Sequence, residues 1–180
     1  MASIDRDDLL DLEDAVFVRR QNTIENVASE YSQTDLVATI REARQAMRET
    51  LAGLPDAAFR PQTDEIDGDP VWSAGEIASH LLEMMYWLQL AFQQLAGEDP
   101  GGSPDEQAEV RVMDRAETRA TLDICDREFE RALEMAGEIS GNPRIRIEGL
   151  GEPGVRGLLL LHAIHEWDHA DQFAALTWSA

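Results

Sequence analysis

The chain has 180 residues, enough for one domain with a real core and short for two. An apolar share of 43% marks a globular protein and not a disordered tail. Net charge is −21 and the 15 basic residues are all arginine, so the surface repels phosphate backbones and anionic lipid. Nucleic-acid and membrane partners are therefore not expected.

Residues 1–33 read as an N-terminal extension. It holds a possible helix around Asp7 to Arg19, where Leu9, Leu12 and Val16 fall in step. Met1 to Arg6 carry charge and no apolar run, so no signal peptide is expected. Residues 34–180 then carry four long segments with helical apolar rhythm, and the whole is expected to be a single domain.

The first segment runs from about Leu36 to Leu54, with Leu36, Ile40, Ala43, Met47, Leu51 and Leu54 as one stripe. Thr34 or Asp35 is the expected cap, and Pro55 follows the end. The second runs from Ala74 to Ala96. Ser73 and Glu76 form an S-x-x-E capping box, Ile77, Leu81, Met84, Leu88, Ala91 and Leu95 make the stripe, and Gly97 stops it. His80 falls on the same inward side.

The third runs from about Arg115 to Ile139 with Asp114 as N-cap. Leu122, Cys125, Phe129, Leu133, Ala136 and Ile139 are expected inside. Cys125 is the single cysteine, so no internal disulfide forms, and its place in the stripe marks it as core filling. Arg144 to Glu148 alternates Arg and Ile as a short extended piece would.

The fourth segment runs from about Val155 to Leu176, with Pro153 near its first turn. Leu158 to Ile164 is its longest apolar run, too short to span a bilayer. His162, His165, His169 and Gln172 stand at spacings of three, four and three and form one polar seam. Apolar side chains occupy the other sides, so the helix is expected to be buried and its seam must find partners. Four amphipathic segments with no convincing sheet predict an all-α four-helix bundle with an extra N-terminal helical segment.

Three histidines can converge in that core. His165 and His169, four apart, share a helix face, and His80 on a neighbouring helix closes a triad. Three neutral imidazoles on one ion leave a coordination position open, as catalytic metal sites do. The donor set suits zinc, nickel, iron, cobalt or manganese. The bland alternative is a set of core histidines bonded to acids. His162 is more often such a core or supporting histidine than a ligand. Gln172 is placed to bond a ligand's free ring nitrogen or a substrate. Glu83, one turn after His80, either orients a ligand or is a solvated acid.

His165-Glu166-Trp167-Asp168-His169 also fits the H-E-x-x-H pattern of zinc proteases. Too little chain follows His169 to supply their downstream third ligand, so that class is set aside. A di-iron bundle needs a second E-x-x-H pair, and Glu76 and His80 are four apart.

Two strings carry a family resemblance. Trp72-Ser73-Ala74-Gly75-Glu76-Ile77-Ala78-Ser79-His80-Leu81 and His165-Glu166-Trp167-Asp168-His169-Ala170-Asp171-Gln172 resemble the signatures of the DinB-like, damage-inducible four-helix bundles. That group includes thiol-dependent S-transferases and the mycothiol-dependent maleylpyruvate isomerase. Together with the bundle the resemblance spans roughly Leu36 to Leu176. It implies an up-down-down-up bundle, commonly a homodimer, with His80, His165 and His169 as metal ligands. Asp168 stands where the family often has histidine, and Asp171 where it often has glycine.

Three functional readings follow. In the first, a metal-dependent transferase activates a small thiol for attack on an electrophilic small molecule held over the bundle mouth, in a pocket shaped by the bundle ends and the 97–105 loop. In the second, a hydrolase uses metal-activated water with Glu83 or Glu166 as base. In the third, the protein is a stress-related metal binder and no enzyme. In each it is expected in the cytoplasm.

Overall fold

The computed structural model describes residues 3–20, 22–61, 65–66, 69–101 and 111–176. Its helices are α1 (Arg6–Glu13), α2 (Ile24–Ala28), α3 (Gln33–Gly53), α4 (Ala74–Leu95), α5 (Arg115–Glu138) and α6 (Val155–Ala175). The four long ones form the expected all-α bundle.

Local chemistry explains the ends. Ser73 Oγ accepts from Glu76 N–H while the Glu76 carboxylate accepts from Ser73 N–H, so the capping box closes as the spacing predicts. Asp114 and Glu117 build the same box on α5. α3 starts earlier than its apolar stripe does. Ser32 Oγ, and not Thr34 or Asp35, caps it by accepting from Asp35 N–H at 3.1 Å. The first turn, Gln33 to Asp35, is polar and gives no apolar beat to read.

In the extension, the expected helix over 7–19 is split. The α-helix ends at Glu13 and Asp14–Val18 continues as a π turn, after which Arg20 sits at φ 50°. A two-residue antiparallel pairing joins Glu65–Ile66 to Asp69–Pro70. The alternating segment at 144–148 reduces to an isolated bridge, Ile147 with Gly151.

Contacts fix the directions. Arg41 meets Glu130 and Arg48 meets Asp123, so α3 and α5 are antiparallel. Gly75 abuts Met113 at one end and Gln89 bonds Glu128 further on, so α4 and α5 are parallel. Arg156 reaches Ser29 O and Tyr31 O just before α3, and Arg44 meets Glu166, so α3 and α6 are parallel. The bundle therefore runs up-down-down-up. α4 packs chiefly on α5, and α6 chiefly on α3, which divides the bundle into two helix pairs.

One core joins them. Leu36, Ile40, Met47 and Leu51 of α3, Ile77, Leu81 and Leu88 of α4, Leu122, Cys125 and Phe129 of α5, and Leu158 to Leu160 of α6 are all buried. Two stripe positions shift by one residue. Met85 and Ala132 are fully buried, while the expected Met84 and Leu133 are only half-buried. A 3.6-residue repeat admits either neighbour, and the facing helix decides which one enters.

Residues of the extension join the same core through Leu9, Val16, Ile24 and Val27. α1 and α2 pack against α6. Glu25 accepts from Gly154 N–H at 2.7 Å and pairs with Arg144. Gly154 is the N-cap of α6 and has no capping side chain of its own, so a carboxylate from α2 satisfies that helix end.

Gly75 shows how tightly the α4 and α5 starts meet. A Cβ there would lie 2.9 Å from Met113 Cα and closer still to its backbone nitrogen. Gly75→Ala is expected to cost about 1–3 kcal/mol, the usual penalty of overpacking, read as a lower urea midpoint. A midpoint at or above wild type would contradict the close approach.

A candidate three-histidine metal centre

His80 sits two turns inside α4, placed by the Ser73 cap. His165 and His169 project from α6 one turn apart, as the i, i+4 rule requires. The three ring nitrogens lie within 4.8 Å of one another. His165 Nε2 is central, 3.0 Å from His80 Nε2 and 3.1 Å from His169 Nε2. Two nitrogens each 2.0–2.1 Å from one ion stand roughly 2.9–3.4 Å apart, so the spacing fits a shared ion.

Neighbouring groups set the tautomers. His169 Nδ1 is 3.0 Å from Gln172 Oε1, an acceptor, so the proton belongs on Nδ1 and Nε2 offers its lone pair. His80 Nδ1 lies 3.5 Å from Glu83 Oε2, with the same effect. His165 Nε2 then faces two lone pairs, and one N–H cannot serve both. A cation at the common point satisfies all three, so the donor set fits a divalent ion. Trp72 flanks the cluster, edge-on to His80 at 4.9 Å and stacked on His169 at 6.0 Å.

The rings are held neutral. Burial and then the His169, His162 and His80 neighbours keep the His165 pKa well below 6.5. Burial lowers His80 against a raising contribution from Glu83, and burial with His80 lowers His169. Neutral imidazole is the form that binds metal.

The second layer lies one turn along α6. His162 Nε2 turns to Glu166 Oε1 at 3.1 Å, so it does not join the triad. Its ring stacks on Phe129 at 6.0 Å and on His165 at 6.3 Å. Glu166 is fully buried and receives Arg44 Nε at 3.0 Å and Nη2 at 2.5 Å. The Arg44 guanidinium and the His162 bond hold its carboxyl far below the usual range against the cost of burial. Burial lowers His162 as well.

The four histidines bind protons more readily unfolded than folded, because each folded pKa lies below 6.5. Unfolding therefore takes up protons below that value, and stability rises with pH until the unfolded rings are neutral. The apoprotein is expected to melt progressively lower as pH falls from about 7 to about 5, followed by circular dichroism. A flat profile would refute the burial of these rings.

Of the residues singled out from sequence, His80, His165, His169, Gln172 and Glu83 thus come together. Glu166 and His162 form the layer beside them. Residues 102–105 of the 97–105 loop lie outside the described residues, so its expected part in a pocket rests on sequence. Cys125 is buried, and burial first of all pushes its thiol up to about 12, so it is no nucleophile. Sequence reasoning missed Arg44. The available signal was its spacing: it shares a face with Ile40, Met47 and Leu51.

No helix among the described residues is long and apolar enough to cross a membrane. No curated protein and no solved structure matches the chain. A family model, the DinB superfamily, matches residues 39–173. That range runs from the first turns of α3 to the end of α6 and takes in all three clustered histidines, so the chain belongs to the DinB superfamily.

Proposed function

We propose that His80, His165 and His169 hold a divalent metal ion, and that the protein is a transferase that activates a small thiol for attack on an electrophilic small molecule. The observation that carries this is the convergence of three neutral ring nitrogens, backed by Gln172 and Glu83 as orienting acceptors. Zinc, nickel, iron or manganese suits the donor set. A bound ion would supply Lewis acidity at its remaining position and lower the pKa of a thiol or water placed there.

The chain's own carboxylates favour the thiol over the water reading. The hydrolase reading gives Glu83 or Glu166 the work of a general base beside the attacking water. Glu166 is clamped by Arg44 and His162, and Glu83 is engaged with His80. A thiol needs only its pKa lowered, because the thiolate is itself the nucleophile. Trp72 and the half-buried His80 mark the wall against which the small substrate would sit. The same reading takes residues 1–33 and 34–180 as one domain of a cytoplasmic homodimer, the dimer resting on family likeness.

The test pairs elemental analysis of purified protein with incubation of the metal-loaded form with thiol cofactors and a panel of electrophiles. Metal-dependent loss of free thiol is expected. Turnover without thiol would favour hydrolysis. Metal bound at full occupancy with no turnover of any substrate would favour the non-enzymatic binder.

A further inference from the structure

We propose that Arg44 is the positioning residue of the metal centre, its guanidinium setting the register between the two helix pairs that carry the ligands. This rests on the metal reading above.

The ligands are divided between the pairs. His80 belongs to the α4/α5 pair, and His165 and His169 to the α3/α6 pair. α4 and α6 pack chiefly on other partners and more lightly on each other, so apolar contact between them leaves the spacing of His80 and His165, 3.0 Å, to be fixed more closely. A polar group that crosses the seam at core depth can supply that.

Arg44 does so. It comes from α3, the bundle helix adjacent to α6, and its side chain is 6% exposed. On its own pair it binds Glu166 through two nitrogens. Across the seam Nη2 reaches Met85 Sδ of α4 at 2.8 Å, and Nη1 donates to Cys125 O of α5 at 3.1 Å. The guanidinium also lies 4.6 Å from the Phe129 ring centroid. One planar fork thus touches both ligand-bearing helices and the fourth helix as well.

The anchor points sit close to the ligands in sequence and space. Glu166 adjoins His165 in the chain. Met85 is five residues after His80. Glu166 also fixes His162, whose ring backs that of His165. Rotation or sliding of either pair would break Arg44 contacts before it moved a ring nitrogen far. The other seam arginines are weaker candidates: Arg41 and Glu130 are both more than half exposed, and Arg48, 26% exposed, reaches only the solvated Asp123 and Asp126 of α5 and neither ligand-bearing helix.

The merely structural alternative is that Arg44 adds or costs stability and nothing else. Buried ion pairs can often be replaced by neutral groups without loss of fold. The experiment uses that fact. Cobalt(II) serves as the probe for the full chain, with affinity from competition titration and ligand geometry from its visible absorption band. Arg44→Met combined with Glu166→Gln removes both charges and leaves an amide to bond His162. Arg44→Lys keeps the charge beside Glu166 but loses the fork, and Arg41→Gln is the control.

Both Arg44 variants are expected to keep near-wild-type helicity, to bind cobalt about 10- to 100-fold more weakly and to shift the visible band. Arg41→Gln should stay within about twofold, since exposed pairs contribute little. Wild-type affinity with an unshifted band in the folded Arg44 variants overturns the proposal. Equal weakening by Arg41→Gln also overturns it, because the effect would then be general loosening. Should the double variant not fold, Arg44→Lys decides alone. Failure of the wild type to bind cobalt is a different result: it removes the metal reading itself.

Discussion

His165→Ala is expected to weaken divalent-metal binding at least about a hundredfold. A structural zinc site gains roughly 10–16 kcal/mol from about four ligands, or about 3 kcal/mol each, and 1.4 kcal/mol is tenfold. His165 is the sharpest choice because its Nε2 is the central atom, within 3.1 Å of both partners. His80→Ala should do the same by removing the ligand of the opposite helix pair. The apoprotein fold should survive, since the change relieves crowding of three lone pairs. Isothermal titration of the metal-free proteins checks it. A mutant that bound with wild-type affinity would mean the rings are packing elements.

Glu166→Ala is expected to destabilise the fold by about 3–5 kcal/mol, the usual cost of stranding one partner of a buried ion pair. Arg44 would keep its charge with a 6% exposed side chain and lose both bonds to Oε1. Asp126 lies 3.5 Å from Nη1 and is 45% exposed, so its long, solvated contact compensates only weakly. His162 would lose its acceptor as well. The measurement is the urea midpoint of the apoprotein near neutral pH. A loss under about 1 kcal/mol, the range of an exposed pair, would show that the pair is solvated in solution.

Some of this molecule is plain in its residues and some is not. The starts of α4 and α5 are legible because Ser73 with Glu76, and Asp114 with Glu117, are local devices at fixed spacing. The three-histidine cluster is legible for the same reason: i, i+4 geometry sets His165 against His169, and His80 falls on the inward side of α4. Helix rotation is not local, so Met85 takes the core place that the pattern offered to Met84. Arg44 was hidden by the default that charge belongs in water. Its partner Glu166 is 122 residues away, and no spacing rule reaches that far. Glu166, a candidate base on sequence, lies against that buried arginine as its counter-ion.

The borrowed cap on α6 has a consequence for biosynthesis. Glu25 and Gly154 are 129 residues apart, and Arg156 grips the carbonyls of Ser29 and Tyr31 across a similar gap. During translation the segment with Leu9, Val16, Ile24 and Val27 leaves the ribosome long before its docking surface exists. Until α6 is made, those apolar side chains lack the helix that α1 and α2 pack against, and exposed apolar surface of that kind is what makes a nascent chain prone to association.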